Sequence, residues 1–233
     1  MEEKRVNKIL ADPMWCKNGD GKITFAEYRG TTPWIYFKSD PERRCIYWLA
    51  AYFEHFGVIP DFCRNRCWKV AIRPDTLSGL FGLSDILEKS GFMCKCGMDL
   101  RDYTFGPWAG FIYTNSLDEA HKIVSSYITP LPTVIKKGCT EMEERIPSTE
   151  WEATEAADQT REHDLNEFFD LEKKFNCSIY WHEQQNDKLK HEIKVEWIKH
   201  AIAIGDRTVK KVVTGFFDDP NYWDKLVVQS VNY

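Results

Sequence analysis

The chain has 233 residues, of which 43 % are hydrophobic and 14 % aromatic, so it can bury a substantial core in one large or two small domains. No stretch of 18 or more apolar residues occurs, so the sequence predicts no membrane-spanning helix. The net charge is −5, an acidity that disfavours unspecific binding to nucleic acid.

The cysteine content indicates a compartment. Eight cysteines could form four disulfides in a secreted protein. The first residues, however, lack the apolar stretch of a secretory signal peptide. We therefore expect reduced thiols and a cytoplasmic location, without membrane contact.

The charge is unevenly distributed and suggests three segments. Residues 1–140 carry 19 Lys and Arg against 16 Asp and Glu, or +3, whereas residues 141–233 carry 12 against 20, or −8. We expect an N-terminal arm over residues 1–40, a main unit over 41–140, and an acidic helical extension over 141–233, either independent or packed on the same core.

The arm contains twelve residues that resemble an EF-hand calcium loop. In this stretch, 16–27, Asn18, Asp20 and Glu27 fall at the third, fifth and twelfth positions of such a loop. Cys16 takes the first position, where calcium requires a carboxylate. The alternative is an Asn-Gly-Asp-Gly turn between two short strands.

The main unit begins with a predicted helix over 41–56, apolar on most sides and therefore expected to be buried. Its remaining elements follow in the order β-α-β-β-α-β, which is the ferredoxin-like arrangement. The helices are predicted after Asp75 or Thr76 and after Ser116, where Glu119 completes a capping box. The inward face of the second helix is predicted to carry Leu117, Ala120, Val124, Tyr127 and Ile128. The strands are predicted over Trp68–Arg73, Cys96–Arg101, Trp108–Thr114 and Thr133–Lys137.

Four cysteines flank the first two of these strands. Cys63 and Cys67 precede the first strand, and Cys94 and Cys96 lie at the start of the second. In a ferredoxin-like sheet these two strands run parallel, so both pairs should reach the same end of the sheet. Four thiolates can bind a structural zinc ion, and they can also hold an iron–sulfur cluster. The alternative is a set of unrelated buried thiols.

Strand alternation predicts a second candidate site on the sheet face turned away from the helices. Lys69 and Arg73 should share that face with Phe111 and Tyr113. Surfaces that bind RNA combine aromatic stacking with basic side chains, so this face is a possible ligand platform. The alternative is that helices from elsewhere in the chain cover these aromatic rings.

The acidic extension is predicted to be helical, and its first helix should span residues 149–175. Leu189, Ile193, Trp197, Ala201 and Ile204 recur at helical spacing, and Gly205 should end that helix. We expect an α+β protein that binds another protein, or RNA, with zinc in a structural role. The alternative is an enzyme that uses the four cysteines for iron–sulfur redox or thiol chemistry. No catalytic motif distinguishes these two hypotheses.

Overall fold

The structure is a computed structural model with a mixed α+β architecture. Its first strands and helices are β1 (Trp15–Lys17), β2 (Ile23–Phe25), β3 (Trp34–Tyr36), β4 (Trp68–Ile72), α1 (Leu77–Ser90) and β5 (Cys94–Met98). They are followed by β6 (Trp108–Thr114), α2 (Leu117–Ile123), a π-helical turn (Val124–Ile128), β7 (Thr133–Lys137), α3 (Asp187–Ala203) and α4 (Val209–Phe216). The described residues are 15–17, 23–25, 33–38, 66–102, 104–128, 130–138 and 185–217.

The chain divides into two compact units. One contains residues 31–40, 69–136 and 181–233, and the other contains residues 1–30, 41–68 and 137–180. The predicted helices over 41–56 and 149–175 lie outside the described residues, so they stay predictions, as do the three predicted segments.

β1 and β2 form a two-stranded antiparallel sheet in which Cys16 pairs with Thr24. The EF-hand resemblance requires a helix leading into its loop, whereas a strand occupies residues 15–17. Two short strands are what the turn alternative predicts. The proposed calcium ligands Asn18, Asp20 and Glu27 lie outside the described residues, so calcium binding stays untested.

The second sheet has five strands in the order β3-β5-β6-β4-β7. β5 pairs antiparallel with both β3 and β6, so that Ile35 and Gly110 lie on either side of Cys96. The strands over Trp108–Thr114 and Thr133–Lys137 match the predicted bounds. The predicted strand over Cys96–Arg101 was displaced by two residues or more at each end, because the real strand spans Cys94–Met98.

Helix α1 forms where the sequence predicts it. The Thr76 side chain accepts a hydrogen bond from the Gly79 N–H at its start, and Gly91 ends it with φ of 70°. Its buried leucines face β6, where Gly110 allows a close approach. A Cβ at Gly110 would lie 2.6 Å from Leu83 Cδ2, so a larger residue at this position would require the Leu83 side chain to move.

Helix α2 begins at the predicted cap, where Ser116 Oγ accepts from the Glu119 N–H. The helix then widens into the π-helical turn, which rotates the residues that follow it. Leu117 and Tyr127 were expected to face inward, but both are exposed. Ala120 and Ile128 are buried as expected, and Ile123 is buried although it was not expected to be.

Helices α3 and α4 pack on the same core as the five-stranded sheet. Trp197 and Ile193 of α3 and Val213 of α4 are buried in one apolar cluster with residues of α1, β5 and β6. The Asp206 carboxylate, in the turn between α3 and α4, accepts a hydrogen bond from the Leu77 N–H at 2.6 Å. This contact closes the first turn of α1 with a group from a distant part of the chain. Ile204, expected in the buried stripe, is half exposed because the helix ends at Ala203.

Candidate functional site

Two of the predicted metal ligands lie on the sheet face that α1 covers. Cys94 and Cys96 are separated by one residue on β5, so their side chains point to the same face. Both thiols are buried in the apolar core, and Cys94 Sγ donates to the Leu87 carbonyl oxygen of α1 at 3.7 Å. Their immediate surroundings therefore include a helix backbone and aliphatic side chains.

These surroundings keep the thiols protonated. Burial raises the pKa of Cys94 to about 12, well above its ordinary value of 9.0. Burial also raises the pKa of Cys96, the more deeply buried of the two. A metal ion binds the thiolate, so it would have to release two protons inside an apolar environment. At neutral pH these two residues resemble core thiols more than nucleophiles.

The remaining two predicted ligands are Cys63 and Cys67. Cys67 is buried next to β4, whereas Cys63 lies outside the described residues. Within the described ranges, no three His, Cys, Asp or Glu side chains are grouped in a way that could hold a metal ion. The four-cysteine centre therefore stays a prediction from spacing.

The opposite face of the sheet brings together the residues of the predicted ligand platform. Phe111 on β6 lies near two basic side chains, Lys69 on β4 and Arg73 directly after β4: Lys69 Nζ is 5.5 Å from its ring centroid, and Arg73 Cζ is 5.7 Å away. Tyr113 packs against the small apolar cluster that includes Phe111. We call this the basic–aromatic face, and it consists of Trp34, Tyr36, Lys69, Ala71, Arg73, Lys95, Ala109, Phe111 and Tyr113.

Lys95 lies at the centre of this face and was not among the predicted residues. Its ammonium group is 4.4 Å from the Trp34 ring centroid, 5.4 Å from that of Tyr36 and 5.7 Å from that of Phe111. Such contacts between a cation and aromatic rings are favourable, and more so when water is excluded. Three rings from the two strands that flank β5 therefore surround one lysine.

The ammonium group of Lys95 is nevertheless destabilised. Burial and the positive charges of Lys69 and Arg101 lower the pKa of Lys95 to about 8, although the nearby Asp99 carboxylate acts in the opposite direction. The ordinary value is 10.5. A measurable fraction of this amine is therefore uncharged near neutral pH.

The carboxylate of Asp99 is shared between two arginines. Arg101 donates through Nε to Oδ1 at 2.7 Å and through Nη2 to Oδ2 at 2.8 Å, while Arg73 Nη1 lies 2.9 Å from Oδ2. Burial alone would raise the pKa of Asp99, but the hydrogen bonds and charges of Arg101 and Arg73 hold it below its ordinary value. This buried group connects β4 to the end of β5.

Access to the basic–aromatic face is restricted. Phe111 and Lys69 are each only 5 % exposed. A nucleic-acid base stacks on the open surface of a ring, and a ring this buried offers little of that surface. The residues of the predicted platform are thus assembled, but in a closed environment.

The same end of the sheet carries an exposed apolar loop between β5 and β6. Phe105 is 84 % exposed and Leu100 is 58 % exposed. The loop is nevertheless held by hydrogen bonds, because Asp99 N–H donates to the Pro107 carbonyl oxygen and Thr104 Oγ1 contacts the carbonyl oxygens of Asp99 and Arg101. We call residues 99–102 and 104–107 the Phe105 loop. It presents large apolar side chains on a backbone fixed by several contacts.

Sequence reasoning missed Lys95 and the Phe105 loop for the same reason. The predicted strand began at Cys96, which left Lys95 outside it and included Leu100 within it. The alternation Cys94-Lys95-Cys96 was the available signal, because two core thiols on one face require the intervening lysine on the other.

Known proteins give no indication of the function of this chain. Comparison with protein-family models, with curated proteins and with solved structures found no match for this chain. Within the part of the chain that the structure describes, no helix is long and apolar enough to cross a membrane. Any functional conclusion therefore depends on the geometry described above.

Proposed function

We propose that this chain is a protein-binding module and that the Phe105 loop contacts its partner. The observation that carries the proposal is the 84 % exposure of Phe105 on a loop held by internal hydrogen bonds. Aromatic residues are enriched in the centres of protein interfaces, where one large side chain fills a pocket. A fixed loop also loses little conformational freedom on binding.

The partner suited to this loop is a protein with an apolar pocket that accepts an aromatic ring. Leu100, in the same loop, adds a second exposed apolar side chain. The opposite possibility, an RNA platform at Lys69, Arg73, Phe111 and Tyr113, is less favoured because Phe111 is almost fully buried. RNA binding weakened by Phe111→Ala would reverse this preference.

A photo-crosslinking amino acid at position 105 tests the proposal in cells. We expect one covalent adduct that depends on position 105 and disappears when Leu100→Ser is added. The same crosslinker at position 204 is a matched control, because Ile204 is an exposed apolar residue on a different element. Identical adducts from both positions, or none from either, would refute the proposal.

Fold integrity is checked with Phe105→Ser in the full chain. Because the ring is largely exposed, the free energy of unfolding should change by less than about 0.5 kcal/mol. A larger loss would mean that the ring stabilises the fold itself.

We also propose the ferredoxin-like description for the sheet unit. The order β5-β6-β4-β7 supports it, because that arrangement places the third strand between the first and second and the fourth strand beside the first. β3 is then an additional edge strand. A cytoplasmic location stays a prediction from the sequence.

The structural zinc ion is a separate proposal. It would involve Cys63, Cys67, Cys94 and Cys96, and its support is their spacing in the sequence. About one zinc per chain in purified protein, lost in Cys63→Ser, would favour it. A brown protein would favour the alternative iron–sulfur cluster, while the absence of both metals would leave buried thiols.

A further inference from the structure

The two outer strands of the five-stranded sheet differ in how their peptide groups are satisfied. At β3, the Gln185 side chain accepts from the Tyr36 N–H at 2.8 Å and donates to the Trp34 carbonyl oxygen at 2.8 Å. One side-chain amide thereby takes the place of a neighbouring strand. At β7, the last strand in the order, no described residue makes the corresponding contact.

Two hydrogen bonds between the segments of β4 and β7 show which backbone N–H and C=O groups of β7 point away from β4. Arg73 N–H donates to the Pro132 carbonyl oxygen, and Gly138 N–H donates to the Cys67 carbonyl oxygen. In an antiparallel ladder, these two bonds direct the peptide groups of Val134 and Lys136 toward β4. The N–H and C=O groups of Thr133 and Ile135 therefore point away from the sheet.

The side chains at this edge define which strand could pair with it. Val134 is 59 % exposed, and the exposed Lys136 lies two residues further along the same face. β4 and β7 together contain three cationic side chains and no carboxylate: Lys69, Lys136 and Lys137. An added strand would therefore be favoured by an acidic residue opposite Lys136 and by an aliphatic residue opposite Val134.

A second copy of the chain satisfies these conditions poorly. Two β7 strands paired antiparallel through Ile135 would place Lys136 opposite Val134, so neither Lys136 would have a carboxylate opposite it. The complementary occupant has the opposite charge. Lysines on an edge strand also discourage self-association in other sheet proteins.

We propose that the outer edge of β7 at Thr133–Lys136 accepts an extended acidic peptide segment of a partner protein by strand addition. The backbone of the segment pairs with Thr133 and Ile135, while its acidic side chain lies opposite Lys136. This surface is distinct from the Phe105 loop, so the inference goes beyond the proposed function.

Capped seven-residue peptides that place one Glu two positions from one Val, in otherwise Thr sequences, test the inference with the full-length protein. We expect saturable binding and slower amide exchange at Thr133 and Ile135. Peptides N-methylated at the residues that face the edge lack the required donors, so their affinity should fall at least about tenfold. Equal binding by the N-methylated peptides, or no saturable binding, would overturn strand addition.

Charge selectivity is tested with Lys136→Glu and with a peptide that carries Lys in place of Glu. We expect Lys136→Glu to weaken the acidic peptide about threefold to tenfold and the basic peptide to bind better to the variant than to the native protein. Phe105→Ser should leave both affinities unchanged. Loss of peptide binding in Phe105→Ser would assign the interaction to the loop and refute the β7 edge.

Discussion

The two edges of the five-stranded sheet are built differently. The β3 edge is stabilised by hydrogen bonds from distant residues, whereas the β7 edge is accessible among the described residues. β3 is a three-residue strand, yet Gln185 bonds its outer peptide groups and Trp197 Nε1 donates to the Pro33 carbonyl oxygen at 2.8 Å. These contacts come from residues 149 and 164 positions away in the chain. β7 lies next to β4 at the other edge of the sheet, and the side chains of Val134 and Lys136 are exposed there. The fold thus supports one edge with distant groups and leaves the other accessible among the described residues.

The largest effect is expected where β3 approaches β5. A Cβ at Gly97 would lie 2.1 Å from the Pro33 carbonyl oxygen, which is backbone and cannot rotate away. We expect Gly97→Val to lower the free energy of unfolding by about 3 kcal/mol or more, because β3 must detach or shift. Urea unfolding measures this loss.

Gly82→Ala is the matched control for that substitution. Gly82 lies in α1 with no atom within 4 Å of an added Cβ. Alanine is a better helix former, so the stability should rise by up to about 1 kcal/mol. A similar loss in both variants would show that the close approach of β3 is not the cause.

The next effect concerns the side-chain amide that closes the β3 edge. Gln185→Ala removes two hydrogen bonds to the backbone of β3 and should cost about 1–3 kcal/mol. Gln185→Glu keeps an acceptor for the Tyr36 N–H but places a buried carboxylate beside the Trp34 carbonyl oxygen, so at neutral pH its cost should be at least that of Gln185→Ala. Amide exchange at Tyr36 should accelerate in the alanine variant. Unchanged exchange would contradict the capping role.

A pH-dependent effect is expected from Lys95, which contacts the two aromatic side chains of β3. Its pKa is about 8 in the folded protein and 10.5 ordinarily, so the unfolded chain binds more protons between these values. Stability from this group therefore rises as the pH increases from 8 to 10.5. Below pH 8 the amine is charged in both states, and the cost of burying that charge is fully present.

Lys95→Met should remove this dependence. At pH 7 we expect the variant to have a larger free energy of unfolding than the native protein. By about pH 10 this advantage should be smaller by about 1–2 kcal/mol. Cys94 and Cys96 have raised pKa values, so they lower stability as the pH rises, but they do so in both proteins. A stability difference that stays constant with pH would refute the assignment to Lys95.

The smallest effects on stability are expected at β7. Lys136→Gln and Val134→Thr alter exposed side chains and should each change the free energy of unfolding by less than about 0.5 kcal/mol. A loss above about 1 kcal/mol would show that the chain itself covers this edge. The same thermal or urea unfolding measurement distinguishes the two edges.

Much of the local structure was predictable because its causes are local. The Thr76 cap, the positive φ of Gly91 and the Ser116 cap each depend on residues within a few positions of one another. The alternation of Trp108–Thr114 also placed Phe111 on the face opposite Gly110 and Ile112. These features follow from backbone geometry and side-chain periodicity.

The predictions that failed depended on contacts that a local pattern does not contain. Strand β5 begins at Cys94 because β3 and β6 pair along it, and only that pairing turns Lys95 toward Trp34 and Phe111. The π-helical turn likewise redirected Tyr127 to solvent, although its spacing had suggested burial. The predicted ligands Cys63, Asn18, Asp20 and Glu27 lie outside the described residues, so their roles stay predictions.

By itself, the sequence determined the identities of the central elements, the caps of α1 and α2, and the face on which Phe111 lies. Only the tertiary structure decided which groups complete those elements: Asp206 at the start of α1, Gln185 beside β3, and three rings around Lys95. The physical reason is that hydrogen-bond donors and buried charges require partners, whereas periodicity does not specify where in the chain a partner will be found.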